Sequence, residues 1–115
     1  MLKSSSESRD SVVVLHFKGQ LDAQSTRDML NVKRRLEATG IRKVVCDFKE
    51  ISLLDSVGLG SMLALCESAR AKNGRVAITN LMSQPRVVFN ALKMDRHIPV
   101  YDSVDRAVDS LHRLP

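Results

Sequence analysis

The spacing of apolar residues along this chain alternates between the pattern of a β-strand and that of an amphipathic helix. Apolar runs rich in β-branched residues predict strands at residues 12–21, 42–48, 75–79 and 97–101. The segments between and after these runs place apolar residues three and four positions apart, as amphipathic helices do. Regular alternation of strands and helices predicts an α/β fold with a mainly parallel sheet and right-handed crossovers.

The ends of the predicted helices carry the usual signals. Gly40 stops the first helix, and the third begins with Ser83 as a predicted N-cap and Pro85 in its first turn. Asp102 or Ser103 can cap the fourth helix. These boundaries predict about four helices.

The first residues of the chain form a polar, serine-rich segment. Residues 1–11 are compatible with a frayed tail or with a weak edge strand followed by a turn. The rest of the chain contains no repeat, linker or low-complexity tract. We therefore expect a single domain over residues 1–115, with 1–10 as its polar N-terminal segment.

Composition narrows the function classes. The net charge is +5, but the cations are dispersed, and aromatic residues make up only 3% of the chain. A basic surface without aromatic stacking platforms favours simple solvation over direct nucleic-acid binding. Cys46 and Cys66 lie in apolar runs, as reduced buried cysteines do. No stretch has the length of a membrane helix or the character of a secretory signal, so we expect a cytoplasmic protein without membrane insertion.

Signatures of catalysis are missing from the sequence. There is no GxSxG elbow, no phosphate-binding loop and no CxxC pair. The three histidines, His16, His97 and His112, have no carboxylate at a spacing that indicates a catalytic pair. We expect neither an enzyme nor a metal site.

One stretch, "LLDSVGLG", has an unusual composition for the start of a helix. Asp55 ends an apolar strand, and Ser56 is predicted to cap the helix that follows. Gly58 and Gly60 each cost about 1 kcal/mol in a helix relative to alanine. We interpret both glycines as clearing space for another chain to approach. A helix N-terminus also accommodates a phosphate, because its free N–H groups and its dipole favour negative charge.

Four segments together resemble a known family. They are "KGQLD", "LLDSVGLGSMLAL", "NGRVAITNL" and "FNALKMDRHIPVYDSVDRAV". In this order they resemble the STAS domain, and more narrowly the bacterial anti-sigma factor antagonists, over residues 12–111. The resemblance implies a STAS fold: a four- to five-stranded, mostly parallel sheet with an N-terminal edge strand, packed against about four helices.

The resemblance also implies a partner-switching function. In this family the unphosphorylated protein binds an anti-sigma factor, which is also an ATP-dependent serine kinase, and thereby frees the sigma factor. The kinase phosphorylates the serine that follows the aspartate, which is Ser56 here, and a serine phosphatase reverses the reaction. Because ATP and magnesium belong to the kinase, no cofactor is expected in this chain.

The implied partner surface includes the phosphorylation site and the residues around it. It consists of Asp22, Asp55, Ser56, Val57, Gly58, Leu59 and Gly60. Many relatives have a second hydroxyl at position 57, and the valine here leaves Ser56 as the single candidate.

Two other functions stay open. A STAS module can serve as a scaffold in a signalling complex or as an accessory subunit of a lipid or anion transport system, and a basic surface suits an anionic partner of that kind. In that case Ser56 is only a helix cap. Nucleic-acid binding rests on net charge alone.

Overall fold

Five strands form one mixed sheet in this protein. The computed structural model describes every residue from Met1 to Pro115. The strands are β1 (Leu2–Arg9), β2 (Val12–Leu21), β3 (Lys43–Leu54), β4 (Arg75–Thr79) and β5 (Val100–Tyr101). They lie in sequence order across the sheet, with β1 antiparallel to β2 and every other neighbouring pair parallel. The predicted α/β class is confirmed, and the serine-rich segment is an edge strand rather than a tail.

The helices follow the parallel strands. They are α1 (Thr26–Thr39), α2 (Ser56–Arg70), α3 (Ser83–Ala91) and α4 (Val104–His112), with short 3-10 helices at Ala23–Ser25 and Met94–Arg96. None of the helices is long and apolar enough to cross a membrane.

Both faces of the sheet are covered, and each has its own hydrophobic core. Helices α1, α2 and α3 contribute to a core of 23 buried residues on one face, whereas α4 closes a core of 7 residues on the other. On β2, Val13 and Leu15 face the larger core, while Val12 and Val14 face the smaller one. Because successive side chains point to opposite faces, a strand buried on both sides has an unbroken apolar sequence. This accounts for the apolar runs of β2 and of the first half of β3.

Most of the predicted helix boundaries agree with the structure. Gly40 has a left-handed backbone (φ 72°) at the end of α1, and the Ser103 side chain accepts a hydrogen bond from the Arg106 backbone N–H at 3.2 Å. The prediction of Ser83 as an N-cap is wrong. Met82 is the cap residue, so Ser83 already lies in the first turn of α3, and neither side chain caps the helix.

The last strand is shorter than predicted. The sequence predicts an extended segment over residues 97–101, but His97 and Ile98 donate their backbone N–H groups to the Met94 carbonyl and end the second 3-10 helix. Pro99 then has no N–H for a ladder bond. Only Val100–Tyr101 pairs with β4.

Candidate functional site

The parallel strands β2 and β3 end side by side, and the candidate site lies where they end. Leu21 of β2 is in register with Leu54 of β3, and the Asp55 backbone N–H donates to the Leu21 carbonyl at 3.3 Å. The two aspartates that follow these leucines, Asp22 and Asp55, therefore leave the sheet at the same edge. The pairing of two buried strands thus brings together residues 33 positions apart in sequence.

Asp55 is the residue that caps α2. Its backbone is extended (φ −113°, ψ 179°), and its Oδ1 accepts the Gly58 N–H at 2.7 Å. Its Oδ2 accepts the Ala23 N–H at 3.2 Å. The prediction that Ser56 caps the helix is therefore wrong by one residue. Because a carboxylate fills this position, the capping bond does not use the serine hydroxyl.

Asp22 performs a similar task on the neighbouring segment. Its Oδ1 accepts the Gln24 N–H at 3.0 Å and caps the short 3-10 helix. The Ser25 hydroxyl closes the box, accepting from the Asp22 N–H at 2.8 Å. Asp55 accepts the Ala23 N–H and Asp22 accepts the Gln24 N–H, so both carboxylates stabilise the turn that follows β2. The structure therefore places Asp22 beside Asp55, as the resemblance implies.

Gly58 has an internal role that the sequence interpretation missed. It is buried, and a Cβ atom built on it would lie 1.9 Å from the Leu21 carbonyl oxygen. Only glycine lets α2 approach the end of β2 this closely. The interpretation of Gly58 as space for a partner is wrong, and Leu59, which is 4% exposed, is likewise a core residue. Neither residue offers a surface for direct docking.

Three of the predicted residues do form an exposed surface. Ser56 and Gly60 are exposed, Val57 is 47% exposed, and a Cβ on Gly60 would meet no atom within 4 Å. The Ser56 hydroxyl makes no hydrogen bond within the chain, although it stands at the first helical position of α2. The site therefore presents a free hydroxyl and an apolar side chain beside two half-buried carboxylates.

Helix α3 is attached to the same edge by a contact that the sequence did not predict. The Gln84 side chain accepts from the Leu54 N–H and donates to the Leu54 carbonyl, both at 2.9 Å. It thereby replaces a strand partner for the last residue of β3. Leu53 and Met82 precede the two contacting residues in sequence and are 36% and 48% exposed. No single-sequence signal distinguishes Gln84 from any other polar residue in a first turn.

A second polar cluster crosses β1, β2 and β3. The His16 ring nitrogens lie 2.7 Å from Glu7 Oε1 and 2.8 Å from Asp47 Oδ2. The hydrogen bond with Glu7, followed by the one with Asp47, raises the pKa of His16 despite partial burial. The hydrogen bond with His16 lowers the pKa of Glu7. The spacing of the histidines along the sequence does not indicate this cluster, because strand pairing rather than sequence spacing assembles it.

Asp47 is the buried end of this cluster. Burial acts to raise the pKa of Asp47, but hydrogen bonds from Asn80 and His16 and from the Lys49 N–H outweigh it, and the pKa is lowered. The Asn80 amide donates to Asp47 Oδ1 at 2.9 Å. The cluster thus joins the edge strand to the centre of the sheet.

Taken together, the fold and the site define a class of protein. It is an α/β domain in which a mainly parallel sheet presents a free serine at the start of a helix that an aspartate caps. The sequence profile of the STAS domain matches residues 3–107. The chain belongs to the STAS domain family.

Solved structures with this fold include anti-sigma factor antagonists. An anti-sigma factor antagonist from Mycobacterium paratuberculosis is 20% identical, with a TM-score of 0.86 over 97% of this chain and 95% of that one. The phosphorylated form of the Bacillus cell fate determinant SpoIIAA is 21% identical, with a TM-score of 0.71 over 94% and 98% of the two chains.

A transport-related protein has the same fold. A sulfate transporter family protein from Wolinella succinogenes is 13% identical, with a TM-score of 0.75 over 89% of this chain and 85% of that one. At these identities the likeness describes the fold.

Proposed function

We propose that this protein is an anti-sigma factor antagonist whose switch is the phosphorylation of Ser56. In its unphosphorylated form it binds an anti-sigma factor that is also a serine kinase, and the sigma factor is released. The observation that carries the proposal is the free, exposed hydroxyl of Ser56 at the first position of α2. Because Asp55 supplies the cap, modification of the serine leaves the start of the helix intact.

The position of Ser56 suits a phosphate group. The first backbone N–H groups of a helix have no intrahelical acceptor, and the helix dipole places positive potential there. Asp55 occupies the N–H of Gly58, which leaves the N–H groups of Ser56 and Val57 for an anion. The helix therefore stabilises the phosphoserine rather than unfolding around it.

The same phosphate changes the surface that a partner meets. A phosphoserine adds roughly −1.5 to −2 charge at neutral pH. It would stand next to the carboxylate of Asp55 and close to that of Asp22, on a surface whose exposed apolar side chain is Val57. A partner packed on this surface would have to bury the new charge or face repulsion from it, and binding is switched off.

The remaining parts of the switch belong to other proteins. ATP and magnesium are held by the kinase, and a serine phosphatase acting on Ser56 restores the binding form. In this proposal the chain is a substrate and binding partner without a cofactor and without catalytic activity of its own.

A phosphate-mapping experiment tests the site. The protein is incubated with ATP and the anti-sigma factor kinases of the same genome, and the modified residue is located by mass spectrometry. We expect one phosphate on Ser56 and none after Ser56→Ala. Ser52→Ala is the matched control, because Ser52 is an exposed serine four positions earlier whose hydroxyl donates to the Gly19 carbonyl. Phosphate that persists in Ser56→Ala, or disappears in Ser52→Ala, contradicts the proposal.

The second candidate function is a STAS scaffold or an accessory subunit of a signalling complex or of a lipid or anion transport system. The structural likeness to the sulfate transporter family protein and the net charge of +5 favour it. Affinity capture separates the two functions. Recovery of a transporter subunit by both the wild type and Ser56→Asp supports the accessory function, whereas recovery of a kinase by the wild type alone supports the switch.

A further inference from the structure

We propose that β1 is also a self-association surface, on which two copies of this chain pair their β1 strands antiparallel about a two-fold axis at Ser5. The product would be a continuous ten-stranded sheet across two copies of the five-stranded one. The inference is independent of the partner switch, because α2 follows β3, two strands away from this edge.

The outer edge of β1 is long and regular. Its eight residues pair with β2 in one uninterrupted antiparallel register, without a bulge and without proline. Nothing in the chain pairs with the other side of β1. Proteins usually blunt such an edge with proline, a bulge or charges, since an open strand offers its hydrogen-bonding groups to another chain. Of these features β1 has only charges, at Lys3, Glu7 and Arg9.

The pairing with β2 fixes which backbone groups of β1 are free. The Gln20 N–H donates to the Met1 carbonyl at 3.3 Å, so residue 1 belongs to a hydrogen-bonded pair. Hydrogen-bonded pairs alternate along an antiparallel ladder. Odd-numbered residues of β1 therefore bond to β2. The even-numbered residues point their N–H and C=O groups outward: Leu2, Ser4, Ser6 and Ser8.

Because the even-numbered residues carry the free backbone groups, a second β1 must place its even-numbered residues opposite them, and few registers do so. The charged side chains distinguish these registers. Lys3 and Glu7 lie symmetrically about Ser5, so a pairing centred on Ser5 sets each Lys3 opposite a Glu7 of the other copy. A pairing centred on Ser6 sets Lys3 opposite Arg9, where like charges repel. A pairing centred on Ser4 sets Lys3 opposite Ser5 and gains no ion pair. The sequence "LKSSSESR" is thus self-complementary in one register.

Of the two side chains in this pair, Lys3 has no competing ionic partner, whereas Glu7 already has partners within its own chain. Lys3 and Glu7 are exposed, and Lys3 makes no ion pair within its own chain, whereas Glu7 bonds His16 and lies 3.6 Å from Arg9. The other side chains of the edge are mostly serine, which is small enough for close strand pairing. In the proposed register Ser5 faces Ser5 in a non-hydrogen-bonded pair, with Cα atoms about 4.5 Å apart.

Disulfide trapping tests the register. Cysteines at a non-hydrogen-bonded pair have the Cα separation that a disulfide needs, and Cys46 and Cys66 are buried. We expect Ser5→Cys to form a covalent dimer under mild oxidation at least about tenfold faster than Ser8→Cys. Ser8 faces Leu2 in this register, so the cysteines introduced at position 8 of the two copies would lie about 20 Å apart. Equal rates for the two variants would overturn the proposal.

Charge reversal tests the ion pairs in the Ser5→Cys background. Lys3→Glu sets a second carboxylate opposite Glu7 and is expected to slow trapping several-fold. Lys3→Gln removes the attraction without adding repulsion and is expected to slow trapping less, and neither variant touches Glu7, which bonds His16. Circular dichroism establishes that each variant is folded. The proposal is wrong if Lys3→Glu traps as fast as its parent, or if Lys3→Gln slows trapping as much as Lys3→Glu.

Discussion

At the start of α2, neighbouring residues have separate tasks. Asp55 caps the helix through the Gly58 N–H, Ser56 carries a hydroxyl with no partner, and Gly58 lets the helix touch the Leu21 carbonyl. The separation matters for function, since a residue that holds the fold together cannot be modified freely. Ser56 is the one of the three that the fold does not use.

Gly58 and Gly60 provide a matched pair of substitutions. Gly58→Ala forces a Cβ to within 1.9 Å of the Leu21 carbonyl oxygen, and such overpacking lowers the free energy of unfolding by about 1–3 kcal/mol or more. Gly60→Ala meets no atom within 4 Å and is expected to raise it by up to about 1 kcal/mol through helix propensity. Urea denaturation measures both. A Gly58→Ala variant as stable as the wild type would contradict the close approach.

Asp55 and Ser56 provide a second pair. Asp55→Ala removes the side-chain bond to the Gly58 N–H and is expected to lower the free energy of unfolding by about 1–2 kcal/mol. Ser56→Ala removes no bond within the chain, so a change within about 0.5 kcal/mol is expected. Chemical denaturation measures both variants. If Ser56→Ala were the more destabilised variant, Ser56 would be the cap residue, and its hydroxyl would not be free for phosphorylation.

At the scale of elements, polar side chains connect the edge strand β1 and the helix α3 to β3. His16 connects β1 to β3 through Glu7 and Asp47, and Gln84 connects α3 to the end of β3. Both connections join residues that are distant in sequence. Single polar substitutions at these residues are therefore expected to disturb the packing of β1 or α3 against β3.

The His16 cluster predicts a pH dependence. The pKa of His16 is raised above its ordinary value of 6.5, so its contribution to stability is fully present below that pH and is lost as the pH rises through the folded pKa. The pKa of Glu7 is lowered below 4.5, so its contribution is present above that pH and is lost as the pH falls.

The difference in unfolding free energy between wild type and His16→Gln should therefore be largest between pH 4.5 and pH 6.5 and smaller at pH 8. Urea titrations at pH 5.5 and 8 measure it. A difference that stays constant or grows toward pH 8 would contradict the ion pairing.

The hydrogen bonds between Gln84 and Leu54 predict how much this contact between α3 and β3 contributes to the free energy of unfolding. Gln84→Ala leaves the N–H and C=O of buried Leu54 without their side-chain partner, and unpaired buried groups cost about 1–3 kcal/mol. Gln84→Glu is the matched control. It keeps an acceptor for the Leu54 N–H but sets a carboxylate oxygen against the Leu54 carbonyl, so it should not restore stability. A Gln84→Ala variant with wild-type stability would show that the contact contributes nothing.

For the whole molecule, local patterns were sufficient to predict the α/β class, the mainly parallel sheet and the four helices. Burial on both faces makes the first four residues of β2 apolar, and Gly40 has the left-handed backbone that its position at a helix end suggests. The site was predicted in outline, because Asp22 and Asp55 both follow apolar strands. The local errors are small: the caps of α2 and α3 each lie one residue before the predicted serine, and the last strand is shorter than predicted. The larger errors concern contacts between elements. The clash that excludes a side chain at Gly58 comes from Leu21, and the partners of His16 come from neighbouring strands. Neither contact has a sequence spacing that identifies it.

The central claim is that phosphorylation of Ser56 switches off binding to an anti-sigma factor kinase. The most direct measurement is the dissociation constant of that complex, by isothermal titration calorimetry, for the unmodified protein and for the same protein with phosphoserine at position 56. We expect the phosphorylated form to bind at least about tenfold more weakly, a loss of about 1.4 kcal/mol or more. Equal affinity for the two forms, or tighter binding of the phosphorylated one, would contradict the account.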